Sequence, residues 1–194
     1  MECHTPYLIK KATDETPFPP FKKVLFEAAA NENYPEHIHI YTDGSKNPDN
    51  GRVGFAVVEE KISKHAKLVK YARLSDNLSV YTAELTAIYE ALIWIRSKQY
   101  PKSVIFSDSL SSIQSLQTNR STRPDILAAI HKVLNELNQL KLTVFEWVPA
   151  HVGIIGNEVA DYGAKTALSI TSTITTLPLG ITEQSSCQKQ KNTT

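Results

Sequence analysis

Two short apolar runs, Ile38-His39-Ile40-Tyr41-Thr42 and Val104-Ile105-Phe106-Ser107, each lead straight into an aspartate, Asp43 and Asp108. Between them, Val80–Lys98 has helical apolar spacing, with Leu85, Ile88, Leu92 and Ile95 in one stripe widened by Ala83, Ala87, Ala91 and Trp94. A strand and a later strand joined across such a helix pair in parallel. Both aspartates then stand at the carboxyl edge of one sheet, the edge at which α/β sheets hold ligands. Few other features of the chain restrict its fold as much.

The remaining elements fit around that pair. Strand one is expected over His37–Thr42, ending at Asp43 and a Gly44 turn. The cluster Asn47-Pro48-Asp49-Asn50-Gly51 reads as a turn. Strands over Arg52–Glu59 and Lys67–Leu74 follow closely enough to make an antiparallel meander with strand one. Ser79 is the expected N-cap of the long helix, and Pro101 closes the turn after it. A helix from about Asp108 to Leu116 and another over Pro124–Leu140 precede a fifth strand, Leu142–Val148. A glycine-bearing loop, Pro149–Gly156, leads to a last helix from about Asn157 to Leu168. Three divisions result. Residues 1–35, with Pro6, Pro17, Pro19, Pro20 and Pro35, read as an arm or linker carrying at most a short helix over Phe21–Ala30. Residues 36–169 form the domain. Residues 170–194 form a Thr/Ser-rich tail, expected to be disordered from about Thr182.

The bulk properties exclude more than they specify. A chain of 194 residues suits one domain with tails. A net charge of +1 means that any grip on a polyanion must come from locally placed basic residues. The two cysteines, Cys3 and Cys187, stand at opposite ends, so no disulfide framework or Cys/His metal cluster is expected. No apolar signal core opens the chain. The longest apolar run, Leu85–Ile95, contains Glu90 and is too short to span a bilayer. An intracellular location, cytoplasmic or nuclear, without membrane attachment is the expectation.

Taken singly, each acid has an ordinary reading. Asp43 before Gly44 can be a turn residue and Asp108 a helix N-cap. Glu84 and Asp161 can be solvent-facing acids near helix N-termini. Jointly they mean more. Glu84 sits early in a helix that must pack on the sheet bearing Asp43 and Asp108. Two carboxylates about 4 Å apart repel by about 4 kcal/mol at an effective dielectric of 20, a cost that cations between them remove. Oxygen donors without cysteine favour Mg²⁺ or Mn²⁺ over zinc.

These residues carry a resemblance. Tyr41-Thr42-Asp43-Gly44-Ser45, Tyr81-Thr82-Ala83-Glu84-Leu85-Thr86-Ala87 and Phe106-Ser107-Asp108-Ser109 resemble, in order, the strand and helix motifs of the type 1 ribonuclease H family. Trp147-Val148-Pro149-Ala150-His151-Val152-Gly153 and Gly156-Asn157-Glu158-Val159-Ala160-Asp161 resemble its last loop and helix. The wording is most like the ribonuclease H domains of non-LTR retrotransposon polyproteins. The resemblance implies an α/β ribonuclease H-like fold, a five-stranded mixed sheet in the order 3-2-1-4-5 flanked by helices. It implies endonucleolytic hydrolysis of the RNA strand of RNA–DNA hybrids, giving 5′-phosphate and 3′-hydroxyl ends. It implies Asp43, Glu84, Asp108 and Asp161 as catalytic ligands of two Mg²⁺ ions, with Mn²⁺ as substitute. It also implies His151 as a catalytic group for proton transfer and product release. Ser45, Tyr81, Ser109 and Asn157 are the candidate substrate contacts, although Ser109 and Asn157 equally suit helix caps. An attached or upstream reverse transcriptase is the implied protein partner.

The sequence departs from the family at two places. Val80 and Tyr81 stand where many members place asparagines that read the minor groove and 2′-hydroxyls. The connection between Leu116 and Pro124 is too short for the basic helix-loop of some members, leaving Arg120, Arg123 and Lys132. Lys61, Lys64, Lys67, Lys70 and Arg73 form a denser basic run, a pattern that on an edge strand also serves solubility. Other readings are an inactive nucleic-acid-binding relic of a mobile element and a different metal nuclease on the same fold. Retention of all four acids argues against the relic, and the His151 loop against the other nucleases.

Overall fold

The computed structural model describes residues 18–61, 65–138 and 142–174. The arm over 1–17, the tail from 175 and both cysteines lie outside the described residues. In chain order the elements are α1 (Pro19–Asn33), β1 (Ile38–Lys46), β2 (Val53–Glu60), β3 (Ala66–Leu74) and α2 (Val80–Lys98). They are followed by β4 (Lys102–Ser107), α3 (Leu110–Thr118), α4 (Pro124–Asn138), β5 (Leu142–Trp147) and α5 (Ile155–Ala167). The strands form one sheet in the order β3-β2-β1-β4-β5. β1, β2 and β3 are an antiparallel meander, and β1, β4 and β5 run parallel, as the strand–helix–strand logic requires.

Strand alternation divides the core between the two faces. Ile40 of β1, Phe55 and Val57 of β2 and Ile105 of β4 join Leu85, Ile88, Leu92 and Ile95 of α2 and the apolar side of α4. Tyr41, Val58, Val104 and Phe106 face the other way, toward Phe26 and Ala30 of α1 and Ala160 of α5. α2 starts where its sequence signal lies: Ser79 is the N-cap, and its Oγ accepts from the Thr82 N–H at 3.1 Å. It stops at Gln99, which takes a left-handed φ of 58° before Pro101. α3 passes to α4 through residues 119–123 with no inserted helix.

Three elements differ from expectation. β1 does not stop at Thr42; it continues through Asp43, Gly44 and Ser45 to Lys46, because β2 keeps pairing with it as far as Lys46↔Val53. What ends at Thr42↔Ser107 is the parallel ladder to β4. Secondly, residues 19–34 are not a loose lead-in. α1 is a full helix, and Phe26, Ala30 and Tyr34 are buried on the sheet. Prolines at its N-terminus start it rather than prevent it, since an N1 proline gives up no helical hydrogen bond. Thirdly, α5 begins at Ile155, so Asn157 lies within its first turn and is not its cap. Among the described residues, no helix is long and apolar enough to cross a membrane.

Candidate active site

The last parallel pair, Thr42↔Ser107, sets the site. The next residues along each strand are Asp43 and Asp108, so both carboxylates project where β4 has ended and β1 has lost one neighbour. Glu84 comes from the opposite face, from the second turn of α2. Gly44 makes that approach possible: a Cβ there would stand 2.6 Å from the Glu84 backbone nitrogen and 2.9 Å from the Ala83 Cβ. The helix backbone therefore rests on the bare glycine, which brings the Glu84 carboxylate around the strand. Carboxylate oxygens of Asp43, Glu84 and Asp108 all lie within 4.8 Å of one another. Gly44→Ala is expected to push α2 outward and lower stability by about 1–3 kcal/mol, the usual cost of overpacking. A denaturant titration measures this; unchanged stability would contradict the tight approach.

The electrostatics of this cluster favour protons or cations. Asp43 is pushed up to about 8, first by burial, then by the charges of Asp108 and Asp161. Lys165 and the Gly44 N–H oppose that shift only in part. Glu84 is pushed well above the usual carboxylate range by burial first, then by Asp43 and Asp108. Its Oε2 is buried and has no hydrogen-bond partner. Asp108 is raised by burial, while the Asn157 hydrogen bond and the nearby His151 pull it back.

A second group adjoins the first. Asp161 and Glu158 of α5 and His151 of the preceding loop bring one ligand atom each within 4.8 Å of one another. Asp161 Oδ2 accepts from Lys165 Nζ at 2.8 Å, one helical turn on. His151 is exposed and has a left-handed φ of 54°. Gly153, at φ 85°, donates its N–H to Glu158 Oε1 at 3.0 Å and so ties the loop to α5.

The four candidate substrate contacts fare differently. Asn157 is buried, and its Nδ2 donates to Asp108 Oδ2 at 3.5 Å. Ser45 is half-buried in β1 opposite Gly54, two residues beyond Asp43. Ser109 is the N-cap residue of α3, but its Oγ pairs with Ser112 Oγ at 2.8 Å instead of capping the helix. Tyr81 is turned inward: its hydroxyl donates to Ser115 Oγ at 2.7 Å and meets Ser121 Oγ at 2.8 Å, joining α2 to α3 and the next loop. Sequence reasoning missed three supporting groups. Trp147 donates its Nε1–H to the Asp108 main-chain oxygen at 3.1 Å. Lys165 pairs with Asp161, and Glu158 holds the loop. Only the Asp161–Lys165 pair left a readable signal, its i,i+4 spacing.

The donor set fits a divalent cation. Three buried or half-buried carboxylates converge, their charges are disfavoured without a partner, and one buried oxygen is orphaned. Oxygen-only donors of this kind suit hard ions.

Acids from β1, α2 and α5 and from the residue after β4 thus gather at one edge of a mixed sheet in the order β3-β2-β1-β4-β5. The ribonuclease H family model matches residues 35–169, and the chain belongs to that family. Solved structures share the fold. The LC11 ribonuclease H1, solved in complex with an RNA/DNA hybrid, is 21% identical with a TM-score of 0.57, covering 68% of this chain and 96% of its own. The N-terminal ribonuclease H domain of a Mycobacterium tuberculosis protein, solved fused to maltose binding protein, is 18% identical with a TM-score of 0.54, covering 68% and 93%. The protease–reverse transcriptase of prototype foamy virus is 17% identical with a TM-score of 0.55, covering 70% of this chain and 21% of the viral one. A search of curated protein sequences finds no significant match.

Proposed function

We propose that the protein is an endonuclease that hydrolyses the RNA strand of RNA–DNA hybrids, giving 5′-phosphate and 3′-hydroxyl ends. The observation that carries this reading is the convergence of Asp43, Glu84 and Asp108 within 4.8 Å, in a chain of the ribonuclease H family. Asp43, Glu84, Asp108 and Asp161 would hold two Mg²⁺ ions, with Mn²⁺ as substitute. Bound there, the cations supply Lewis acidity toward the phosphate and an acidified water. The chain's own residues do the rest. Asn157 keeps Asp108 oriented, and Gly44 keeps Glu84 within reach. His151, exposed beside Asp161, takes or gives a proton at the mouth of the site. Ser45 and Ser109 flank the acids, where they can meet the sugar-phosphate backbone.

Binding in isolation should be weak and salt-sensitive. Several basic residues of the sequence are already occupied: Arg123 by Asp125, Lys70 by Glu90 and Arg73 by Asp76. Arg120 and Lys132 stay exposed. With few phosphate contacts, affinity is expected to fall about tenfold or more between 50 and 200 mM salt. An attached or upstream reverse transcriptase would supply the missing grip. Fluorescence anisotropy of a labelled hybrid checks this, and tight binding at 150 mM salt would refute it. The deciding assay is cleavage of a labelled RNA–DNA hybrid with Mg²⁺, beside RNA–RNA and DNA–DNA duplexes. Hybrid-only cleavage supports the proposal. Binding without cleavage favours an inactive relic.

A further inference from the structure

α1 lies outside the family-matched residues 35–169, yet it is packed against the back of the site. Phe26 is 1% exposed and meets Phe106 edge-on, with ring centroids 5.0 Å apart. Phe106 in turn stacks on Tyr41 at 5.1 Å. These two aromatic residues precede Asp108 and Asp43 by two positions, so the α1 anchor bears on both strands that carry the acids. The same buried cluster contains Ala30, Val148 and Ile154, with Val152 packed on it. Val148, Val152 and Ile154 bracket the His151 loop. Lys23 lies near the loop: its Cδ is 3.8 Å from where a Cβ on Gly153 would stand. The loop is therefore tied to α5 by Glu158 through the Gly153 N–H, and on the other side Val148, Val152 and Ile154 share one buried cluster with Phe26 and Ala30 of α1. A gap of about 90 Å³, lined partly by Phe26, Tyr34, His39, Tyr41 and Ile154, remains under α1. The helix is thus seated by a few large side chains and can be loosened without opening the main core on the α2 side.

We infer that α1 is a positioning element for His151, a wall added to the family domain that sets the 149–155 loop for catalysis, with Phe26 and Lys23 as its positioning residues. The catalytic part of this inference rests on the proposed nuclease activity. A loop bearing a proton-transfer group loses rate when it wanders, since the group must stay within hydrogen-bond reach of the reacting atoms. Among the described residues, no hydrogen bond or ion pair joins α1 to the four acids, so metal binding should not depend on it.

The test uses the full chain with Phe26→Leu and Lys23→Ala, each alone and combined with His151→Ala, and Val24→Ala on the exposed side of α1 as control. Two readouts are taken: ¹⁵N relaxation of the Val152 and Gly153 amides, and hybrid cleavage. Phe26→Leu and Lys23→Ala are expected to raise the mobility of both amides. They should lower kcat by about threefold to tenfold, a fraction of what a positioned acid–base group supplies. KM and the Mg²⁺ dependence should hold, and Val24→Ala should change nothing. In the His151→Ala background neither variant should cost further rate, because the group they position is gone. Unchanged amide mobility in both variants would overturn the inference. So would a rate loss that persists undiminished without His151, which would mark α1 as structural support only. If the wild-type chain cleaves no hybrid, the nuclease reading fails by itself, and the amide mobilities still decide whether α1 sets the loop.

Discussion

Asp108→Asn is expected to cut hybrid cleavage by roughly 10³-fold or more while leaving the fold intact, a loss of about 4 kcal/mol at about 1.4 kcal/mol per tenfold. The substitution preserves shape. Trp147 bonds to the Asp108 main-chain oxygen, so that contact survives. The new amide oxygen can still accept from Asn157 Nδ2. What disappears is one negative charge among three converging carboxylates. Asp108 is already raised by burial, so the neutral amide is, without metal, the better-tolerated group. The melting temperature should accordingly hold or rise, while cation binding and cleavage are lost. Cleavage assays beside thermal melts of the two proteins check both halves. Wild-type cleavage by the variant would remove Asp108 from the site; a collapsed melt would mean that its role is structural.

The second large effect is linkage between pH, metal and stability. In metal-free protein, Asp43 keeps its proton up to about 8, whereas an unfolded carboxylate loses its proton near about 4. The unfolded state therefore binds fewer protons across that interval, and stability must fall as pH rises from about 4 to about 8. Glu84 and Asp108 shift in the same direction. His37 and His39, both lowered by burial, act oppositely, but only in the acid range where an unfolded histidine gains its proton. The clean window is therefore pH 6.5 to 8, where EDTA-treated protein is expected to lose on the order of 1–2 kcal/mol. Added Mg²⁺ should reverse the trend, since its ligands must be deprotonated. At a concentration a hundredfold above its Kd it should contribute about 2.7 kcal/mol. Asp43→Asn should flatten the metal-free profile and abolish much of the Mg²⁺ effect. Melts at several pH values with and without Mg²⁺ decide the matter. A metal-free stability that climbs from pH 6.5 to 8 would sink the argument.

Much of this molecule was legible because local signals and global needs agree. The meander, the parallel pairing of β1 with β4, the Ser79 cap and the Pro124 helix start each follow from a short-range rule that the packing leaves alone. The misreadings share one cause: distant segments settled a local ambiguity. Gly44 reads as a turn after Asp43, yet β2 pairs past it and keeps it in the strand. The prolines before Phe21 read as an arm, yet Phe26 and Tyr34 find burial on a sheet face formed by residues far along the chain. Asn157 reads as a cap, but the helix starts two residues earlier at Ile155 and leaves it facing Asp108. Tyr81 reads as a candidate substrate contact, and its hydroxyl is bonded to Ser115 and Ser121, a contact between elements that no spacing within α2 announces.

The sequence by itself determined the meander, the parallel pairing of β1 with β4 and the placement of Asp43 and Asp108 at one sheet edge, because apolar periodicity and strand-end aspartates are local patterns with few topological solutions. The full strand order and the grouping of Glu84 and Asp161 with them were implied by the resemblance of its motifs to the ribonuclease H family. Only the tertiary structure decided how close those acids come, which of them burial holds toward protonation, and what backs them. Burial, repulsion and loop support depend on groups brought together from β1, α2, β4, α5 and α1. That proximity arises when the sheet closes and helices cover both faces, and no single stretch of the chain encodes it.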